Sequence, residues 1–434
     1  MQYNNLISEL YTQYLKFGKV STDTRKIEPG ALFFALSGPN FDGNKFAAEA
    51  LTHGASACVV DDQATSEKLK AEGHIVFLVE DTLKCLQDLA KHHREQFDFP
   101  VVAITGSNGK TTTKELVLSV LVQQMDVLGT EGNLNNHIGI PLTLLSWPNS
   151  LDVGIVEMGA NHPGEIAGYC EIAQPDYGLI TNCGKAHLEG FKSLEGVVEA
   201  KTELYRYIKQ KGGKIFINED LAYLQAPAQG IQVALSYGQT KGMIQGQVLE
   251  SQPLAVKLIE PFEEMVLTKL FGAYNVDNIL AAISVGLYFG VSWPQIKLAL
   301  ASYLPENQRS QWVETVNNHL VLDAYNANPT SMKAAIHNMT SYDNKNVALC
   351  LGGMHELGEV SHQEHEAIVE MIRAYEWKGV YLVGQYFEHW KEQYQWFNSV
   401  EELAAHFEQN PIKESTILIK GSRSTQMEKL VKVL

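Results

Sequence analysis

The 434-residue chain is poor in several features that would narrow its function at once. Its five cysteines (Cys58, Cys85, Cys170, Cys183 and Cys350) are scattered and form no C-x-x-C pair. That leaves isolated buried thiols in a reducing cytoplasm as the reading. No apolar stretch reaches membrane-spanning length, so a membrane-embedded protein is excluded. The N-terminal MQYNNLISELYTQYLKFGKV is a candidate amphipathic helix without the apolar centre of a cleavable signal, and a cytoplasmic location is expected. Positive charge is also short. Lys and Arg total 34 against 50 Asp and Glu, a formal net charge of −16, which excludes a general electrostatic attraction to nucleic acid. An anionic ligand would have to be held by local basic groups and helix N-termini. Low-complexity tracts and repeats are absent. What remains is 45% hydrophobic and 19% charged, ordinary for a chain that buries a core, and long enough for about three domains of ~150 residues.

Three regions follow one another along the chain. Residues 1–95 mix short strands (ALFFAL, ASACVV, IVFLVE) with helix-like stretches. Residues 96–304 open with FPVVAITGSNGKTTTKELVLSVLVQQ. Their apolar runs VVAIT, LDVGIVEMG, PDYGLITN and GKIFIN each end in glycine or polar residues, the pattern of buried parallel strands feeding loops at their carboxyl ends. Between about 231 and 271 the pattern alternates (IQVALSYG, MIQGQVLE, LAVKLIE, EMVLTKLFG), which predicts an antiparallel patch. NVDNILAAISVGLYFG and WPQIKLALASYL read as helices, the second with Pro294 in its first turn. In residues 305–434, the strands VALCLGGM, GVYLVG and STILIKGS alternate with the helices HQEHEAIVEMIRAYEW and TQMEKLVKVL, an α/β domain of nucleotide-binding type.

The strand VVAIT runs through GSNGK into a helix starting near Thr111. Glycines let backbone N–H groups approach phosphate oxygens, the helix N-terminus adds positive potential, and Lys110 can reach the β- and γ-phosphates. Thr111 stands where a P-loop hydroxyl binds Mg²⁺. The full consensus would have glycine where this chain has Ile104, so the loop is a shortened variant. Mg²⁺ also needs a carboxylate. Glu157 ends the apolar run LDVGIVE and would emerge beside the loop if the two strands are parallel neighbours. His187 follows another apolar strand, where a histidine alone is more often packed or solvated than a ligand. On its own, the loop leaves a motor or switch, a kinase and carboxylate activation all open.

Several segments together resemble the Mur ligases, ATP-dependent amide-forming enzymes of peptidoglycan precursor synthesis. The family's phosphate loop has the form T-G-x-N-G-K-T, which accounts for Ile104. NNHIGIPLTLL (135–145), VEMGANHPGEI (156–166), AHLEGF (186–191) and LDAYNANPTSM (322–332) carry the likeness further. STDTRKIEPGALFFALSGPNFDG (21–43) and KGSRSTQME (420–428) extend it to nearly the whole chain. The branch that adds D-alanyl-D-alanine is the nearest. The Asp-Asn-Pro-Arg motif typical of the diaminopimelate-adding branch is absent.

The resemblance implies a three-domain α/β architecture with a central P-loop ATPase-type parallel sheet and a C-terminal Rossmann-like domain. Residues 1–95 would bind the UDP-sugar, 96–304 ATP, and 305–434 would complete the ligase. It implies that Thr105, Gly106, Ser107, Asn108, Gly109, Lys110, Thr111 and Thr112 hold ATP. Two Mg²⁺ ions are implied, the first on Thr111 and Glu157, the second on His187 and on Lys201 carried as a carbamate. Read without the family, Lys201 is an exposed helix lysine. Asn275 and Asn278 fall where the family contacts adenine, with helix capping as their alternative. Arg309 would reach the γ-phosphate, its fork suiting phosphate oxygens, and Asp323 would lie near the ribose and phosphates. Tyr325, Asn326 and Asn328 would line the closed site. Thr22, Asp23, Arg25, Ser37, Phe41 and Asp42, with Asn135 and Asn136, would take the UDP-sugar substrate. The implied reaction joins D-alanyl-D-alanine to UDP-N-acetylmuramoyl-tripeptide through an acyl phosphate, on a monomer with small-molecule partners only. Lys110, His187, Lys201 and Arg309 would be its catalytic groups. Three positions depart from the family: Gly353 stands for a usual aspartate, Asn44 for a common histidine, and His355 for an apolar residue.

Overall fold

The structure, a computed structural model, describes residues 2–434 apart from Gln252, Asn307 and Asp343. Among the described residues the strands form three large sheets and one two-stranded ribbon. The N-terminal sheet is all parallel, in the order Val20–Ser21, Leu32–Phe34, Ala57–Val60, Val76–Leu78. Its strands are short and buried between helices, as continuous apolar runs such as ACVV require.

The central sheet has nine strands, in the order Met265–Leu267, Leu254–Glu260, Ile244–Ser251, Gln232–Gly238, Lys214–Asn218, Tyr177–Ile180, Val101–Thr105, Val153–Glu157, Val127–Gly129. Its first strand in the chain, Val101–Thr105, lies between Val153–Glu157 and Tyr177–Ile180, both parallel to it. Strand order therefore reverses there, and crevices at the carboxyl ends of such strands are where α/β sheets bind ligands. The antiparallel patch is smaller than the alternation predicts. Gln232–Gly238 pairs parallel to both its neighbours, and antiparallel pairing begins only between Ile244–Ser251 and Leu254–Glu260. Alternating hydrophobicity reports which face is buried, not which way a strand runs.

The C-terminal sheet runs Gln311–Glu314, Asn318–Asp323, Ser415–Lys420, Val347–Gly352, Gly379–Val383, Gln395–Phe397, antiparallel only at the first pair. The helix expected over TQMEKLVKVL is instead two 3-10 segments, Arg423–Thr425 and Met427–Lys432, separated by Gln426 in the left-handed region (φ +51°). Met427 and Leu430, three residues apart, are fully buried, a spacing that suits three residues per turn. The chain end is tied down by Asn318 Nδ2 and Thr315 Oγ1, which donate to the Leu434 carbonyl at 2.7 and 3.0 Å.

The N-terminal unit docks through the helix Thr82–Arg94 onto the helices Gly139–Leu145 and Glu165–Ala173. The buried Arg94 donates to the carbonyls of Ala173 (2.9 Å) and Gln174 (3.0 Å) and to Asp176 Oδ2 (2.9 Å). His93 Nε2 donates to the Trp147 carbonyl at 3.0 Å, and Tyr14 Oη to that of Leu145 at 2.7 Å.

Candidate functional site

At the end of Val101–Thr105 the chain turns through Gly106 (φ +146°) and Gly109 (φ +78°) into the helix Lys110–Leu121. Both glycines are required. A Cβ at Gly106 would stand 2.0 Å from Thr181 Oγ1, and one at Gly109 would stand 2.5 Å from Asn278 Oδ1. The loop is braced from the next strand end: Ser107 N donates to the Asn182 carbonyl (2.9 Å) and Asn108 N to Asn182 Oδ1 (3.1 Å). Thr105 is buried, its hydroxyl donating to the Met158 carbonyl. Lys110 Nζ folds back onto the carbonyls of Gly106 (2.7 Å) and Ser107 (3.2 Å). Burial pushes its pKa down to about 8, against the attraction of Glu157 and with the repulsion of Arg309.

Parallel pairing sets Ile104 opposite Glu157, so the carboxylate emerges beside the loop. Glu157 Oε1 accepts from Thr111 Oγ1 (3.1 Å) and Asn135 Nδ2 (2.7 Å), while its buried Oε2 has no hydrogen-bond partner among the described residues. An orphaned carboxylate oxygen beside a threonine hydroxyl suits a hard cation with oxygen ligands.

A cavity of about 450 Å³ opens here. Of the residues named from sequence, Ser107, Asn108, Gly109, Lys110, Thr112, Asn135, Asn136, Glu157, His187, Asn275, Asn278, Arg309, Asp323, Tyr325, Asn326 and Asn328 line it. Asn275 and Asn278 do not cap the helix that follows. Thr113 Oγ1 donates to Asn278 Oδ1, Asn278 Nδ2 to Asn275 Oδ1, and Asn275 Nδ2 to the Phe271 carbonyl. Asn136 Oδ1 accepts from the N–H groups of Ile138 and Gly139, opening the helix Gly139–Leu145. His187, with φ +50°, places Nδ1 2.5 Å from Glu356 Oε2 of the C-terminal unit, and the imidazole holds that carboxyl below its ordinary value.

Lys201 does not line this cavity and is not exposed. It is 1% accessible, with Nζ 3.2 Å from the Ala160 carbonyl and 5.3 Å from the Phe191 ring centre. Burial, with the repulsion of Lys110, pushes its pKa down to about 7. Thr22, Asp23, Arg25, Ser37, Phe41 and Asp42 are also outside the cavity. They lie in two N-terminal segments: in one Asp23 pairs with Arg25 (2.7 Å), and in the other the Phe41 ring stacks on Phe46 (5.3 Å). Asn44 ties the 37–42 segment to Asp61, donating to Ser37 Oγ (3.3 Å) and Asp61 Oδ1 (2.6 Å) and accepting from Asp61 N (3.2 Å). Gly353 has a steric reason, since a Cβ there would stand 2.8 Å from the Tyr386 ring, against which His355 also packs (4.9 Å).

The structure adds groups that sequence reasoning passed over. Lys420 ends its strand opposite Asp323 and pairs with that carboxylate inside the cavity wall. The strand-terminal lysine of KGSR was its only signal. Tyr274 lines the wall and shares a 2.9 Å hydrogen bond with Ser310 Oγ. Glu364, 4% exposed, pairs across the domain junction with Lys185 at 2.5 Å. Asn328 Nδ2 reaches Asn108 Oδ1 of the phosphate loop at 2.8 Å, so the C-terminal unit is closed onto the loop.

Comparison with known proteins agrees with this geometry. Sequence profiles described as "Mur ligase family, catalytic domain", "Mur ligase middle domain" and "Mur ligase, glutamate ligase domain" match residues 16–94, 104–286 and 308–423. The UDP-N-acetylmuramoyl-tripeptide–D-alanyl-D-alanine ligase of Bacillus subtilis (strain 168) is 35% identical over 443 residues, covering 99% of this chain and 95% of its own. The crystal structure of MurF from Acinetobacter baumannii superposes with a TM-score of 0.85 at 31% identity, covering 95% of this chain and 92% of that one. That of MurF ligase from Thermotoga maritima in complex with ADP gives 0.82 at 28% identity, covering 96% of each. The chain belongs to the Mur ligase family.

Proposed function

We propose that this chain joins D-alanyl-D-alanine to UDP-N-acetylmuramoyl-tripeptide at the expense of ATP, completing the cytoplasmic pentapeptide precursor of peptidoglycan. One observation carries the reading: a phosphate loop, an orphaned carboxylate and the Arg309–Asp323–Lys420 group of the C-terminal unit meet at a single cavity. The backbone N–H groups of residues 106–112 and Lys110 bind the β- and γ-phosphates, and Arg309 turns its guanidinium toward the γ-phosphate. The tripeptide's terminal carboxylate attacks the γ-phosphorus, the bond to the ADP oxygen breaks, and an acyl phosphate forms. The amine of D-alanyl-D-alanine then attacks the acyl carbon, a C–N bond replaces the C–O bond, and phosphate and a proton leave.

The Thr111 hydroxyl and the orphaned Glu157 oxygen would hold one Mg²⁺, and His187 with a carbamate on Lys201 would hold a second. Their contribution is to neutralise charge between two anionic reactants. Burial, with the repulsion of Lys110, favours the uncharged amine at Lys201, the form that adds CO₂. Asn275 and Asn278 border the adenine position and Asp323 the ribose. Thr22, Asp23, Arg25, Ser37, Phe41 and Asp42 hold the uridine end, with Asn135 and Asn136 reaching it from the central unit. The assigned units are residues 1–95, 96–304 and 305–434, acting as a monomer. Docking of the C-terminal unit keeps water from the acyl phosphate.

The test is phosphate release from ATP with each substrate omitted in turn. Release is expected only when both the muramoyl tripeptide and D-alanyl-D-alanine are present; turnover that ignores either one would sink the assignment.

A further inference from the structure

Arg309 is held by an aromatic face rather than by an anion. Its Cζ lies 3.8 Å from the centre of the Tyr325 ring. Among the described residues its buried Nε has no hydrogen-bond partner and it makes no ion pair. The neighbouring Arg423 also approaches that ring, at 5.8 Å, but it is occupied by Glu428 (3.1 Å) and by Gln308 Oε1 (3.3 Å). The backbone around Arg309 is fixed as well. Gln308 (φ +54°) and Ser310 (φ +48°) flank it in the left-handed region, which non-glycine residues adopt only when the surroundings hold them there. Tyr325 N donates to the Gln308 carbonyl (3.3 Å), and Ser310 N to Asp323 Oδ1 (3.1 Å).

We infer that Tyr325 is a positioning residue: its ring face holds the Arg309 guanidinium in the phosphate-facing pose, and its hydroxyl is not required. This rests on the assignment of Arg309 to the γ-phosphate and goes beyond it. An aromatic face attracts a guanidinium electrostatically without using its N–H donors. A carboxylate in the same place would hold Arg309 more tightly but would neutralise the charge and consume the donors meant for phosphate. The ring orients the cation and leaves both available.

The experiment is calorimetric titration of the full chain, with Mg²⁺, by ADP and by a non-hydrolysable ATP analogue. The variants are Arg309→Ala, Tyr325→Phe, Tyr325→Leu, Tyr325→Met and the double variant Arg309→Ala/Tyr325→Leu, each checked by thermal unfolding; Tyr325→Met replaces Tyr325→Leu if the latter does not fold. Arg309→Ala is expected to weaken the triphosphate analogue about tenfold or more relative to ADP. Tyr325→Leu should show the same selectivity, with a loss of about tenfold, and Tyr325→Phe should stay within about twofold of wild type. In the Arg309→Ala background, Tyr325→Leu should add nothing. Tyr325→Phe as damaging as Tyr325→Leu, an unselective loss, or full additivity in the double variant would overturn the inference. Equal weakening of both nucleotides by Arg309→Ala would instead remove the γ-phosphate assignment beneath it.

Discussion

At Lys201 an ammonium would sit 1% exposed, with one carbonyl in hydrogen-bond reach and a phenyl ring above it. Groups so placed neutralise or acquire a partner. Lys201→Ala is expected to lose most ligase activity and to regain a measurable part when short carboxylic acids are added, because the acid restores the missing anion. Wild-type rates in that variant would take Lys201 out of the site. Read without the family, VVEAKTELY offered a solvated lysine, because in a short helix a lysine and its apolar neighbours do not by themselves identify the buried face. Glu203, two residues on, was equally invisible: its carboxylate accepts from Gly164 N (2.7 Å) and Ala167 N (2.9 Å), bonds between groups about forty residues apart. The phosphate loop, by contrast, was fully legible, because strand, glycine turn and helix start are local in sequence and each has its own composition.

Among the elements, the segment 353–358 depends on one histidine. His365, on the helix Ser361–Arg373, accepts from Met354 N through Nε2 (2.9 Å) and donates from Nδ1 to the Ser361 carbonyl (2.7 Å), so both ring nitrogens are engaged in the neutral form. Burial depresses its pKa from 6.5 to about 4. Between those values the unfolded chain binds the proton that the folded chain refuses, so the stability from neutral His365 is complete above about pH 6.5 and is lost as pH falls toward about 4. Thermal unfolding of wild type and His365→Asn should differ most at pH 7, with the gap closing toward pH 4; a pH-independent gap would refute the linkage. Nothing in HQEHEAIVEM separates this buried histidine from His362 beside it, since both lie on a helix of ordinary amphipathic pattern. The alternating run after residue 231 gives an antiparallel patch in its last three strands but not at Gln232–Gly238, because periodicity carries no information about strand direction, which the preceding connection decides.

For the molecule as a whole, the sequence marked out the three α/β regions well, since each has its own series of apolar strand runs. It could not show how they meet. The C-terminal unit touches the central one through polar pairs (Asn328 on Asn108, Glu356 beside His187, and Lys185 on Glu364, with Lys333 at 3.6 Å from that carboxylate) and through the Phe271 ring, which stacks on Trp312 (5.7 Å) and Tyr342 (6.0 Å). The polar pairs exchange readily with water, and opening at this junction would let product leave. Glu364→Gln would leave two lysines facing each other there. Small-angle scattering of the ligand-free variant should give a larger radius of gyration than wild type, with a non-hydrolysable ATP analogue narrowing the difference; identical radii would show that this pair does not hold the closed form. The other junction is of a different kind. Arg94, His93 and Tyr14 of the N-terminal unit donate to carbonyls at or just beyond the carboxyl ends of two central helices, at Leu145, Trp147, Ala173 and Gln174. Gln174 O also accepts from Lys211 Nζ (2.6 Å), but among the described residues the carbonyls of Leu145, Trp147 and Ala173 would otherwise lack partners, as helix-end carbonyls do unless something caps them. The end of the helix Thr82–Arg94 is therefore not a place to cut: a fragment starting beyond it would lose the partners of the Leu145, Trp147 and Ala173 carbonyls and would leave Asp176 with Lys211 (2.7 Å) as its remaining ion pair, so a nucleotide-binding fragment must retain the first ninety-odd residues.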